Sequence, residues 1–222
     1  MASVDAYSTD RLSTLKAELG PNFYPITCDV ADMARVFEVS KELQQKGLVP
    51  SLFFLNAAVT GERAQEELKS CNLDTHKRAF EVNYFGVLAW VNAWQKPCIE
   101  QGGANFVVTS SLNAIFAPPI ASAYSASKAA ISKAFEGFGL SYLGTTLKFS
   151  VVYPGAIDTG GLKAPRKLPF TWSKEKMASY MIDKALKQKA HSEPSLFYSI
   201  ICRLLRALPA KWSMKILQTF GG

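Results

Sequence analysis

The sequence predicts an α/β protein built on a doubly wound parallel sheet. Continuous apolar runs such as LFFLNA at 52–57 are one sign, because a strand covered on both faces does not alternate. Between such runs lie longer stretches whose apolar residues recur at helical spacing. Asp29, Asn56, Ser111 and Gly155 follow the strand-like runs, and a parallel sheet binds ligands at the carboxyl ends of its strands.

Taken in order, Thr9 or Asp10 can cap a helix to Leu19, with Leu12, Leu15 and Leu19 on one face and Gly20 as its stop. Residues 23–28 read as a strand closed by Asp29, which can cap a helix over 31–46 that ends at Gly47. The strand at 52–57 follows, expected to be buried on both faces, then a polar loop at 60–70. A long helix is expected over 74–98, broken by Gly102 and Gly103. A strand at 106–109 delivers Ser111, a helix spans 122–143, and a strand at 148–153 ends at Pro154 and Gly155. Residues 156–172, rich in Gly, Pro and Lys, suggest a loop or lid. A helix over 173–190 follows. Residues 196–208 are apolar except for Ser199, Arg203 and Arg206, and Pro209 separates them from a short segment at 212–220. One domain over 1–222 is expected, with 156–222 as substrate loop and a basic, apolar helical extension.

Composition narrows the chemistry. The four cysteines, Cys28, Cys71, Cys98 and Cys202, form no CxxC pair, and His76 and His191 are far apart, so no metal site is expected. Free thiols, no spanning apolar window and no signal-like start point to a cytoplasmic protein. The net charge of +7 is uneven: from Asp158 onward 12 Lys and Arg face 4 Asp and Glu, whereas the earlier residues hold 13 against 14. A basic carboxyl third suits an anionic lipid surface or an acidic substrate. No aromatic-basic platform points to nucleic acid.

The chemistry concentrates between residues 104 and 128. Ser111 stands at a strand end, and Tyr124 and Lys128, four apart, share one face of a helix. An ammonium beside a phenol favours phenolate, so the tyrosine pKa is expected to fall from about 10. A serine hydroxyl nearby can hold a carbonyl or alcohol oxygen. Apolar Phe116, Phe170 and Trp172, within 115–120 and 162–172, suggest a lipophilic pocket.

With these residues the chain resembles the short-chain dehydrogenase/reductases. The Ser111 to Tyr124 separation, the Tyr124-xxx-Lys128 pair, Asn83 in EVNYFG, Asn56-Ala57-Ala58 and Pro154-Gly155 match that family's motifs in order. The resemblance implies a Rossmann-like fold and an NAD- or NADP-dependent oxidoreductase that interconverts a carbonyl and an alcohol on a small or lipophilic molecule. It implies catalytic roles for Asn83, Ser111, Tyr124 and Lys128, with Asn83 holding a water that links Lys128 to solvent. It further implies cofactor contacts from Asp29, Asn56, Tyr124, Lys128, Pro154, Gly155 and Thr159.

The front departs from the pattern. The family's opening strand, glycine-rich turn, helix and second strand are expected to be absent, since Gly20 is the first glycine. An N-terminally truncated sheet is expected, leaving the strand at 52–57 with an unpaired edge and parting it from the strand at 23–28. A fragment of a full enzyme is one reading. A catalytically silent form acting as a membrane-surface or protein-interaction module is the other. A homo-oligomer, or peripheral membrane contact through 196–220, is compatible with either.

Overall fold

The computed structural model describes residues 2–5, 9–60, 71–119, 121–158 and 171–220. The chain begins with β1 (Ala2–Asp5), α1 (Thr9–Leu19), β2 (Tyr24–Thr27), α2 (Met33–Gln45) and β3 (Leu52–Leu55). One helical run then joins α3 (Leu73–Phe80), a π-helical segment (Glu81–Gly86) and α4 (Val87–Glu100). Next come β4 (Ala104–Thr109), α5 (Ser122–Ser141) and β5 (Leu147–Val152). The chain continues through β6 (Ile157–Asp158), β7 (Trp172–Ser173), α6 (Lys174–Leu186) and β8 (His191–Ser192) to α7 (Leu196–Ala207) and α8 (Ala210–Phe220).

All the pairings are parallel. One sheet has the order β3-β4-β5-β8, and β1 pairs with β2 in a second. Phe106 and Val108 of β4 face a core filled by Val36, Trp94 and Phe135 from α2, α4 and α5. Val107, on the opposite face, meets Met177, Met181 and Ala185 of α6. Helices on both faces are the doubly wound arrangement that the apolar runs predict. Phe53, Phe106 and Phe149 are register partners on three successive strands. Their rings stack at 4.6 and 5.4 Å, contacts worth about 0.5–1.5 kcal/mol each beyond their burial. Asn105 ties α6 to the sheet, its Nδ2 donating to the Ala185 carbonyl at 2.9 Å while its Oδ1 accepts from the Ser150 hydroxyl at 3.0 Å.

Local chemistry sets the helix ends. Asp32, not Asp29, caps α2, accepting from the Arg35 amide at 3.0 Å. Gly47, at φ 69°, follows the end of α2, a conformation that suits glycine. Pro97 lies inside α4 and has no N–H for the Ala93 carbonyl; Gln44 Nε2 donates to that carbonyl instead, at 3.3 Å.

Several expectations need correction. The strand at 52–57 is not buried on both faces: Phe54 is 40% exposed, on the outermost described strand of its sheet. The long helix is not uniform, since residues 81–86 are π-helical. The front is not without its second strand, because Ala2–Asp5 precedes α1 and pairs with β2. β8 was unexpected, since two polar residues leave no strand pattern in sequence. Among the described strands, β3 pairs only with β4 and β2 only with β1. Among the described residues, no helix is long and apolar enough to cross a membrane.

Candidate active site

The site grows from the carboxyl end of β4. Beyond it, the Ser110 amide donates to the Val152 carbonyl at 2.8 Å and the Leu112 amide to the Pro154 carbonyl at 3.0 Å. The Pro154 turn after β5 therefore pins the segment carrying Ser111. Ser111 Oγ accepts from the Asn113 amide at 3.1 Å and caps a single 3-10 turn over Leu112–Ala114. Gly155 packs against that turn, where a Cβ would meet Leu112 Cδ1 at 3.4 Å.

On α5, Tyr124 and Lys128 lie one turn apart. The Ser111 hydroxyl stands near enough to the Tyr124 phenol to lower its proton affinity. Lys128 is 2% exposed, and its Nζ donates to the Thr109 carbonyl at 2.6 Å. The same nitrogen lies 5.8 Å from the centroid of the Tyr124 ring. Three residues chosen from sequence spacing thus converge on one strand end.

Their electrostatics differ from expectation. Burial raises the Tyr124 pKa, and the Ser111 hydroxyl pulls it part of the way back. Burial also brings the Lys128 ammonium down to about 8. The expected lowering of the tyrosine pKa is therefore not the net result, because desolvation of the phenolate outweighs the help it receives. Lys128 spends one of its three N–H donors on Thr109, which leaves a buried donor set suited to a ribose diol.

Asn83 is buried in the π-helical segment. Its Oδ1 accepts from the Val59 amide at 2.8 Å, while its Nδ2 donates to the Val59 carbonyl and to Ser127 Oγ, each at 2.9 Å. It therefore ties the loop after β3 to α5, one residue before Lys128. Asn56 stands exposed in that loop, with no hydrogen bond to Ser111, Tyr124 or Lys128 among the described residues. Asp29, beyond β2, accepts from the Ala31 amide at 3.0 Å and pairs with Arg78 at 3.0 Å. Thr159, Ile120 and 162–170 lie outside the described residues. Trp172, expected to line the pocket, packs with the α6 cluster, its ring 5.5 Å from that of Tyr180.

Sequence reasoning missed a set of serines that hold α5 in place. Ser127 donates to the Tyr124 carbonyl at 2.8 Å and accepts from Asn83. Ser132 donates to the Lys128 carbonyl at 2.7 Å, and the Ser110 and Ser132 hydroxyls lie 2.6 Å apart. The available signal was Ser127 and Ser132 at helical spacing from Tyr124 and Lys128, on a face that otherwise reads as small and bland.

The family model for short chain dehydrogenase matches residues 2–167. Dehydrogenase/reductase SDR family member 7B of Mus musculus is 26% identical over 136 residues, 61% of this chain and 41% of that protein. The 1-deoxy-11-beta-hydroxypentalenate dehydrogenase of Streptomyces exfoliatus is 29% identical over 171 residues, 75% of this chain and 62% of that protein. The match thus spans roughly half the length of these relatives. Among solved structures, a short-chain dehydrogenase from Streptomyces avermitilis aligns with a TM-score of 0.79 at 20% identity, covering 99% of this chain and 87% of that one. A serine dehydrogenase complexed with NADP+ aligns with a TM-score of 0.74 at 16% identity, covering 86% and 83%.

Proposed function

Because this chain belongs to the short-chain dehydrogenase family, we propose that it interconverts a carbonyl and an alcohol on a small, lipophilic substrate with NAD or NADP. The supporting observation is the meeting of the Ser111 hydroxyl, the Tyr124 phenol and the buried Lys128 ammonium at the end of β4. The nicotinamide cofactor, when bound, supplies or accepts the hydride. Tyr124 gives its proton to the carbonyl oxygen in reduction and removes it from the alcohol in oxidation. Ser111 holds that oxygen and favours the phenolate. Lys128 directs its remaining donors to the ribose. Asn83 acts as a positioning residue through Val59 and Ser127. Asp29, Asn56, Pro154, Gly155 and Thr159 would border the cofactor.

The exposed apolar residues and unbalanced cations of α7 and α8 favour a second reading, a catalytically silent interaction module. The test is consumption of NADH or NADPH with a panel of lipophilic ketones and aldehydes, alongside direct titration of cofactor binding. Carbonyl-dependent consumption is expected, and Tyr124→Phe should reduce kcat by about 10²–10⁴-fold with little change in cofactor affinity. Equal turnover by the Phe variant rejects the assignment of Tyr124, and no cofactor binding by a folded chain favours the silent form.

A further inference from the structure

The two last helices carry a surface that is both apolar and basic. α7 packs inward through buried Leu205 and Ser199, and its Tyr198 and Cys202 join the main core. Ser195 caps its amino end. Arg203 Nη1 donates to Glu193 Oε2 at 2.9 Å and Nη2 to Oε1, which fastens the helix to the segment after β8. The other side of α7 is unlike this. Leu196, Phe197, Ile200 and Leu204 form a helical stripe, and each is between 55% and 68% exposed. α8 docks through Ser213, whose hydroxyl donates to the Leu205 carbonyl at 2.8 Å, and leaves Trp212 67% exposed.

Charge identifies the occupant. From Leu196 to Phe220 there is no Asp or Glu, while Arg203, Arg206, Lys211 and Lys215 are all cationic. Of these four, only Arg203 makes a salt bridge among the described residues. A second copy meeting this surface across a two-fold axis would bring the same cations together without a counter-charge. An anionic interface supplies both missing partners, acyl chains for the stripe and headgroup phosphates for the cations. At 12 residues, α7 is about 18 Å long and fits in the plane of that interface.

We propose that α7 and α8 dock the protein on an anionic lipid bilayer. α7 also contacts the Leu112–Ala114 turn, so docking sets the Ser111 side of the molecule towards the lipid. Under the reductase reading, substrate is then drawn from carbonyl compounds dissolved in the membrane.

The test is co-sedimentation of the full chain with phosphatidylcholine vesicles, with and without phosphatidylserine. Binding should require phosphatidylserine and fall with added salt. Lys211→Ala with Lys215→Ala should weaken it by roughly 25-fold, at about fivefold per cation. Ile200→Glu with Leu204→Glu, at exposed positions that leave the circular dichroism spectrum unchanged, should abolish it. Equal binding of that variant, or no preference for phosphatidylserine, overturns the proposal. So does a dimer in sedimentation velocity that the variant dissolves while the parent binds no vesicles. Vesicle binding is read without turnover, so failure here is distinguishable from failure of the reductase reading.

Discussion

At the scale of single residues, Lys128 is a buried ammonium whose desolvation carries a cost. Its pKa of about 8 against an ordinary 10.5 means that the unfolded chain binds the proton more tightly than the folded one, so the buried ammonium opposes folding at neutral pH. Lys128→Met should therefore stabilise the protein at pH 7, by up to roughly 3 kcal/mol, while removing the donors proposed for the cofactor ribose and, under that proposal, activity. The sign is fixed by the two pKa values. The stability gap between variant and parent should hold below about pH 8 and close as the pH rises towards 10.5, where the lysine is neutral in both states. Denaturant titrations across that range measure it, and a variant less stable than the parent at pH 7 would show that the ammonium is instead a net anchor. Tyr124, Lys128 and Ser111 were legible from sequence because their spacing survives any detail of packing. The rise in the Tyr124 pKa was not, because desolvation depends on what surrounds the phenol in space.

Among the elements, the π-helical segment Glu81–Gly86 is the one that organises the site. A wider turn places Asn83 where it reaches both Val59 and Ser127, and π-helical turns inside α-helices are frequent at functional sites. Gly86 closes the segment against β2's end. A Cβ there would lie 2.6 Å from the Val30 carbonyl oxygen and 3.1 Å from its carbon, and backbone cannot swing aside as a side chain can. Gly86→Ala should thus destabilise by about 1–3 kcal/mol, with loss of activity beyond the loss of folded protein because Asn83 moves with it. A parent-like melting temperature would mean that the Val30 segment yields. The helical character of 74–98 was readable from periodicity. The π geometry was not, since apolar periodicity does not distinguish an α from a π turn over six residues.

For the molecule as a whole, the β1-β2 pair and the four-stranded sheet differ in local stability. β4 is buried along nearly its whole length and paired on both sides, whereas β2 is largely exposed and hydrogen-bonds only to β1 among the described strands. Backbone amides of β1 and β2 should therefore exchange with solvent well before those of β4 and β5. Hydrogen exchange read by mass spectrometry checks this, and equal protection would mean that the two sheets open as one unit. The sequence by itself determined the class of fold, the order of most elements, and the identity of Ser111, Tyr124 and Lys128. These depend on patterns local in the chain: continuous apolar runs, helical spacing, and residue types at strand ends. Only the tertiary structure decided that Phe54 is exposed, that serines clasp α5, and that burial dominates the proton affinities of Tyr124 and Lys128. Those properties come from contacts between residues distant in sequence, and solvent exclusion at a point is the sum of everything packed around it.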